Sequence, residues 1–383
     1  SLEPCWFRNQ VPTAYYEAGQ KESRDFEKRD ILLGTTYTES GTLLRLDDTR
    51  FKQKWENLYW TIFRDALDEK PLVSPVGLSE PLKVRVISKG PPLLYTALKP
   101  LQKLLWRQLK KHPVFALIGR YVTPKDIDEC LGVLGADEIA VSGDYQASTD
   151  NLHSWASETI ADELMNLISD NTRSDELACF PANFLRDLRT LILRALTKHI
   201  FVYDGKEMDQ EEGQLMGSII SFPFLCIANA AICRYSLEQA NGRMVYSLTR
   251  KLNQAPLLIN GDDCLFKGVS RRIREIWEAT SAQAGLLSSV GKTYFSREFC
   301  TINSTIFEFK EGGWVERKYI NLGLMHGQKR STASGTSATQ HSSQLGVLSR
   351  ELKRSCPPQL WKNVKAMFIK QNSEGLKAFP LPW

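Results

Sequence analysis

Two aspartates stand side by side at Asp262 and Asp263, directly after Asn260-Gly261 and between the apolar runs Leu257-Leu258-Ile259 and Cys264-Leu265-Phe266. Asn-Gly flanked by strand-forming residues is a strong hairpin signal, so the pair is expected on an Asn-Gly turn at a hairpin tip. Like charges held together repel unless a counter-charge lies between them, and a divalent cation is the simplest candidate. A second strand, Ile139-Ala140-Val141-Ser142-Gly143, ends in another carboxylate, Asp144. If the two strands are neighbours, Asp144, Asp262 and Asp263 share one pocket. Mg²⁺ takes hard oxygen ligands, typically a few carboxylates plus substrate phosphates. Two such ions, Mg²⁺ or Mn²⁺, roughly 3.5–4 Å apart can activate an attacking hydroxyl and stabilise a leaving oxygen in an in-line phosphoryl displacement.

The surrounding sequence supplies elements to position such a site. Helical periodicity is expected over Trp55 to Leu67, over Leu98 to Lys110, through Leu152, Trp155, Ile160, Leu164, Leu167 and Ile168, over Phe184 to Leu196, and over Arg271 to Ala284. Phe201 to Met208 reads as a hairpin on Asp204-Gly205, and further strands are expected near Tyr294 to Phe309. Gly213 to Cys233 carries no charge and is long enough to span a bilayer. Its Gln214, Ser218, Ser221, Pro223 and Asn229 are awkward in lipid, so no membrane span is expected. A glycine-bearing loop leading into a buried helix is expected instead, with Pro223 near the first turn. The Ser-, Thr- and Gly-rich stretch Ser331 to Ser343 reads as a mobile loop before a last helical portion.

A chain of 383 residues is long enough for two or three substructures around sizeable cores. A net charge of +5 permits a nucleic-acid partner without demanding one. Eight cysteines without a C-x-x-C pair, and no secretory apolar segment at the start, favour a reducing compartment and argue against zinc. The absence of an initiating Met suggests a processed chain or a fragment. His112, His153, His199, His326 and His341 have no metal-ligand spacing, and Cys226 and Cys233, seven apart on one helix face, read as packing.

Taken in order, three segments resemble the palm of viral RNA-directed RNA polymerases. Asp144 to Asn151 is similar to that family's motif A, Gly213-Gln214-Leu215-Met216-Gly217-Ser218 through Ser221-Phe222-Pro223 and Asn229 to motif B, and Asn260-Gly261-Asp262-Asp263 to motif C. The Thr149-Asp150-Asn151 ending of motif A and the form of motif B look most like the ourmiavirus and botourmiavirus branch, with narnaviruses and mitoviruses more distant. The resemblance runs from about Pro81 to Phe309. It implies that Asp144 and Asp262, assisted by Asp263, hold the metal ions. Asp150 would accept a hydrogen bond from the ribose 2′-OH; as a preferred capping residue it also suits the N-cap of the Leu152 helix. Asn229 would pair with Asp150, and Ser218 and Ser221 would complete the sugar pocket. Buried among apolar neighbours, an Asn can equally bond to nearby backbone.

Lys83, Arg85 and Lys89 alternate with apolar residues in a segment that resembles motif F, a cationic strand for the nucleotide triphosphate; as plain alternation it is a solvated strand face. Lys292 resembles the motif D lysine that protonates departing pyrophosphate; otherwise it is a surface lysine or a phosphate contact. Phe299 to Phe309 would be the primer grip. Arg271-Arg272 and Lys329-Arg330 suit RNA phosphates or plain solvent.

The expected fold is therefore α+β, a right-hand polymerase with an antiparallel palm sheet and flanking helices. Fingers are expected over residues 1–137 with motif F near 81–91, palm over 138–310 with a fingers insertion near 172–212, and thumb over 311–383. The implied activity is RNA-directed RNA synthesis for viral genome replication, with RNA template and product, ribonucleoside triphosphates, and host or viral replication factors as partners, in host cytoplasm rather than the mitochondrion. A reverse transcriptase shares the palm but typically shows an aromatic residue before x-Asp-Asp, where this chain has Ile259-Asn260-Gly261. A non-catalytic RNA-binding scaffold is the other alternative, and the intact carboxylates argue against it.

Overall fold

The computed structural model describes residues 35–37, 43–45, 49–80, 83–171, 180–241, 256–327 and 342–377. The N-terminal part runs through a small ribbon, β1 (Thr35–Tyr37) and β2 (Leu43–Arg45), then helix α1 (Thr49–Asp68), strands β3 (Leu72–Glu80) and β4 (Lys83–Lys89), and helices α2 (Pro92–Ala97), α3 (Lys99–Leu109) and α4 (Pro124–Leu131). The centre continues with β5 (Glu138–Gly143), α5 (Ser148–Asn151), α6 (Ser154–Asn171), α7 (Phe184–Leu196), the hairpin β6 (Ile200–Tyr203) and β7 (Lys206–Asp209), α8 (Ser221–Asn241), the hairpin β8 (Leu257–Asn260) and β9 (Asp263–Val269), and α9 (Ser270–Gln283). Strands β10 (Tyr294–Ser296), β11 (Phe299–Ile302), β12 (Thr305–Lys310) and β13 (Gly313–Glu316) follow. The chain ends in α10 (Leu322–Met325), α11 (Ser342–Ser355), α12 (Trp361–Gln371) and α13 (Ser373–Lys377). Of the expected mobile loop, residues 331–341 lie outside the described residues, and its last two residues open α11.

The central sheet has the order β10-β5-β9-β8, antiparallel throughout. Successive strand residues point to opposite faces, and both faces are covered. Val141, Leu257, Ile259, Cys264 and Phe266 pack toward α8 and α9, whereas Ala140, Leu258 and Leu265 pack toward α4 and the β11–β13 sheet. This double burial explains why β5 and the hairpin read as nearly continuous apolar runs rather than as alternating strands. At Gly143 a Cβ would meet Cys264 Sγ at 2.4 Å and Trp277 at 2.7 Å, so this strand end requires glycine. Trp277 is fully buried, and replacing it with Ala would cost about 3–5 kcal/mol.

Helix α7 buries Phe184, Leu188, Leu191, Ile192 and Ala195, one face at helical spacing. It joins α1, α2, α3 and α6 in a second core. Helix α8 lies between the cores, giving Phe224 to one and Leu225 and Cys226 to the other. Being buried on several sides, its first half carries no charge, and no helix among the described residues is long and apolar enough to cross a membrane. A third sheet, β4-β3-β6-β7, joins the cationic strand to the Asp204-Gly205 hairpin, both of whose turn residues have positive φ as a I′ turn needs. A separate core of Leu345, Leu348, Leu352, Val364 and Phe368 holds the C-terminal helices.

Candidate active site

The hairpin tip differs by one residue from the sequence expectation. Asn260 pairs with Asp263, so the two turn residues are Gly261 and Asp262 rather than Asn260 and Gly261. Gly261 has φ +69° and Asp262 has no positive φ, the pattern of a II′ turn with glycine at its first central position. The shift matters chemically. Asp262 stands at the very tip, while Asp263 is the first residue of β9, inside the ladder.

Strand β5 runs antiparallel to β9 with Gly143 opposite Cys264, which brings Asp144 to the same sheet end as Asp262 and Asp263. Each carboxylate is held from a different element. Ser148 Oγ donates to Asp262 Oδ2 at 3.0 Å, the Asn303 N–H donates to Asp263 Oδ2 at 3.2 Å, and Lys292 Nζ lies 3.6 Å from Asp144 Oδ2. Thr293 clamps the Asp144 backbone, accepting from its N–H at 3.3 Å and donating to its carbonyl at 2.8 Å. Burial, reinforced by the Asp262 and Asp144 carboxylates, pushes Asp263 up to about 7 against the pull of the Asn303 N–H and Lys292. Three carboxylates whose fields oppose one another make a site that fits a hard divalent cation. Among the described residues no three His, Cys, Asp or Glu groups, these included, are already drawn together around an ion position.

Asn229 does not meet Asp150. Its amide is fully buried and reaches the hairpin tip, with Nδ2 donating to Gly261 O at 3.0 Å and to Asp262 O at 3.1 Å. Its Oδ1 accepts from Tyr145 Oη at 2.9 Å and from Cys233 Sγ at 3.3 Å. Asn229 thus ties the residue after Asp144 to the turn that carries Asp262. Cys226 Sγ accepts the Gly261 N–H at 3.2 Å, so Cys226 and Cys233 do more than pack. Nor do the serines of the expected sugar pocket face outward. Ser218 Oγ donates to Ala195 O, and Ser221 Oγ donates to Gln214 Oε1 at 2.8 Å while Gln214 Nε2 donates to Ser157 Oγ at 2.7 Å. Both serines are buried and serve to fix the loop before α8.

Asp150 is exposed, as an acid that meets a substrate hydroxyl must be, but it caps no helix. It is the third residue of the one-turn α5, while α6 begins at Ser154 and leaves Leu152 in the break. The six-residue step from Asp144 contains Ala147 in the left-handed region, φ +43°, which turns the strand into α5. The Gly213 loop closes over it: a Cβ at Gly213 would lie 2.4 Å from Asp150 O. Gly217 approaches Ser88 as closely, at 2.3 Å from a built Cβ to Ser88 O, and Ser88 N–H donates to Met216 O at 2.7 Å. The cationic strand β4 is thereby fixed against this loop, with Arg85 Nη1 3.7 Å from Met216 Sδ. Arg85 and Lys89 are exposed on the same strand face; the Lys83 side chain and Arg271, Lys329 and Arg330 lie outside the described side chains.

Ser148, Thr293 and Asn303 were not singled out in the sequence. Ser148 carried no signal beyond its place four residues after Asp144. Asn303 and Ser304, both with positive φ, form a hairpin tip that alternation in Thr301 to Phe307 could reveal, but not its reach to Asp263 and to Asn260, whose Nδ2 donates to Asn303 Oδ1 at 2.9 Å.

An antiparallel sheet with helices behind it, a hairpin and a strand end presenting carboxylates on one edge, and a second sheet beside them define a right-hand polymerase fold. The same fold is found in two crystal structures of a human picobirnavirus RNA-dependent RNA polymerase. The full enzyme has a TM-score of 0.58 at 12% identity, over 97% of this chain and 71% of that one. Its insertion-loop deletion mutant has 0.57 at 14%, over 81% and 59%. The Sicinivirus 3Dpol RNA-dependent RNA polymerase matches with a TM-score of 0.53 at 13% identity, over 90% and 70%. In sequence the chain is similar to the RNA-dependent RNA polymerase of Ourmia melon virus, 37% identical over 261 residues, or 65% of this chain and 29% of that protein. The matched stretch thus spans under a third of that curated relative, and the branch read from the motifs is the branch found. No family model matches the chain.

Proposed function

We propose that the chain is an RNA-directed RNA polymerase that extends an RNA 3′ end from ribonucleoside triphosphates in viral genome replication. The observation that carries this reading is the convergence of Asp144, Asp262 and Asp263 at one end of the central sheet, each held by its own hydrogen bond or ion pair. Asp144 and Asp262, with Asp263 assisting, are the groups to hold two Mg²⁺ ions. Bound there, Mg²⁺ would supply the Lewis acidity that favours the ionised 3′-hydroxyl and neutralises the polyphosphate.

The chain's own residues do the rest. The 3′-hydroxyl gives up its proton to water, its oxygen forms a bond to the α-phosphorus as the bond to the bridging oxygen breaks, and pyrophosphate leaves. Lys292, beside Asp144, is placed to give the departing oxygen its proton, a role typically worth ~10²–10⁴-fold. Arg85 and Lys89, with Lys83 on the same strand, face the triphosphate. Asp150, exposed beside the Gly213 loop, accepts from the ribose 2′-OH. Asn229, Ser218 and Ser221 act behind the site, holding the turn and the loop in place. In domain terms, among the described residues, we assign those up to about 137 and those within 172–212 to fingers, the others within 138–310 to palm and those within 311–383 to thumb. Host cytoplasm is the proposed setting, with host or viral factors as partners.

The deciding experiment is incorporation of labelled ribo- and deoxyribonucleoside triphosphates on an RNA template with Mg²⁺, comparing the parent chain with Asp262→Ala. Ribonucleotide-specific synthesis that the substitution abolishes is expected. Deoxyribonucleotide use would point to a reverse transcriptase, and RNA binding with no incorporation by either protein would point to a binding scaffold.

A further inference from the structure

Charge along this chain is unevenly distributed. Between Glu80 and Asp126 there are ten lysines and arginines and no aspartate or glutamate, so the net +5 conceals one strongly positive segment and a net-negative remainder. Part of that segment is β4, already described. The rest centres on α3. Lys99, Lys103, Arg107 and Lys110 recur at three- and four-residue spacing, which places them on one helix face, and Trp106 sits among them. An open groove of about 490 Å³ runs along this face, lined by Gln102, Lys103, Trp106, Arg107 and Lys110.

The groove is built rather than a loose fringe of surface lysines. Lys110 Nζ lies 5.7 Å from the Trp106 ring centroid, and Gly119 leaves it room, since a Cβ there would come within 2.8 Å of it. Arg107 Nε is buried with no hydrogen-bond partner, a donor that lacks an acceptor. Burial and the neighbouring Lys99 hold the Lys103 ammonium below its usual range. Among the described residues no carboxylate is paired with Lys99, Arg107, Lys110 or Lys111. The helix itself contains no acid that could pair with these cations at i,i+4.

Its position supplies the ligand. The Trp106 ring is 5.1 Å from that of Phe222, and Phe222 in turn lies against the hairpin turn, 3.2 Å from a Cβ built on Gly261. Two ring contacts therefore lead from the groove to Gly261, the residue before Asp262. We propose that the α3 face of Lys99, Lys103, Arg107 and Lys110 around Trp106 binds the sugar–phosphate backbone of an RNA strand passing the carboxylate site. Cations in a groove with an aromatic side chain are the arrangement that tracks a single strand without reading its sequence, and each phosphate neutralised releases counterions.

The choice of RNA rests on the polymerase reading, but the test measures binding without synthesis. Anisotropy of a labelled single-stranded RNA, titrated with the full chain across a salt series, gives Kd and its salt slope. The triple variant K103Q/R107Q/K110Q is expected to bind about tenfold or more weakly, with a slope smaller by about 2, since each single-strand phosphate contact contributes ~0.7. K103R/K110R is expected to retain parental binding. Should the triple variant unfold, K103Q and K110Q singly are each expected to lower the slope by about 0.7. Unchanged Kd and slope in the Gln variants would overturn the proposal. So would loss of binding in the Arg variant, or a poly-glutamate that depends on this face while RNA does not. A parent that makes no RNA while the Gln variants lose salt-dependent binding would fail the polymerase reading alone. A parent that synthesises RNA while binding is unaffected would fail the α3 face alone.

Discussion

The acidic and basic halves of the site are built in opposite ways. Asp144, Asp262 and Asp263 are partly buried, each tied by a named group, and the turn beneath them is fastened by Asn229 and Cys226. Arg85 and Lys89 stand exposed on an arm whose Val84 and Val86 are themselves 66% and 59% exposed. The difference follows from the ligands. A small divalent ion tolerates little error in oxygen position, so its carboxylates are each held by a hydrogen bond or ion pair, on a turn fastened by buried hydrogen bonds. A phosphate chain is met through long solvated cations whose field matters more than their exact place.

The sharpest break in this comparison is Asp262→Ala, expected to lower elongation on the order of 10³-fold or more, since metal-assisted charge stabilisation is worth several kcal/mol; a loss under tenfold in a single-turnover assay would mean that this carboxylate holds no metal. Lys292→Leu follows, with an expected loss of about 10²-fold in the same assay and little change in triphosphate affinity. A change in affinity alone would make Lys292 a phosphate contact.

Asn229→Leu tests the fastening itself. It leaves the Tyr145 hydroxyl and two turn carbonyls unpaired, at about 1–3 kcal/mol for such a buried loss, read as a lower denaturation midpoint. Slower addition with an unchanged ribo-to-deoxyribonucleotide ratio is expected to accompany it, whereas a collapsed ratio would return Asn229 to the sugar pocket.

Away from these carboxylates, His199 is buried, with Nδ1 3.0 Å from Gln210 Oε1 and Nε2 3.3 Å from Tyr95 Oη. Burial lowers its pKa to about 4, partly offset by Gln210. The unfolded chain, with an ordinary histidine near 6.5, binds the extra proton first. Stability is therefore fully present above about pH 6.5 and falls as pH drops toward 4, by up to about 3 kcal/mol. His199→Gln should flatten that part of the pH–stability curve. Smallest of all, Arg85→Ala should leave the unfolding free energy within about 0.5 kcal/mol of the parent while raising the triphosphate concentration needed for half-maximal rate.

Much of the palm was legible because its signals are local. Two carboxylates after Asn-Gly, a strand ending in Asp144 and an uncharged helix each follow from a few neighbouring residues, and the order of the three segments pointed to the fold. The sequence also determined that Gly143, Gly213 and Gly217 be glycines, although only the approaches of Cys264, Asp150 and Ser88 say why. What the tertiary structure alone decided is which polar group meets which. Asn229 is eighty-four residues from Tyr145 and thirty-two from Gly261, Asn303 is forty from Asp263, and Ser148 is 114 from Asp262. A buried amide must find partners, but periodicity reports only that it is buried. The partner is set by how α8 lies beneath the hairpin and how the β11–β12 turn reaches across to it, and those placements come from packing between cores that no single stretch of sequence contains.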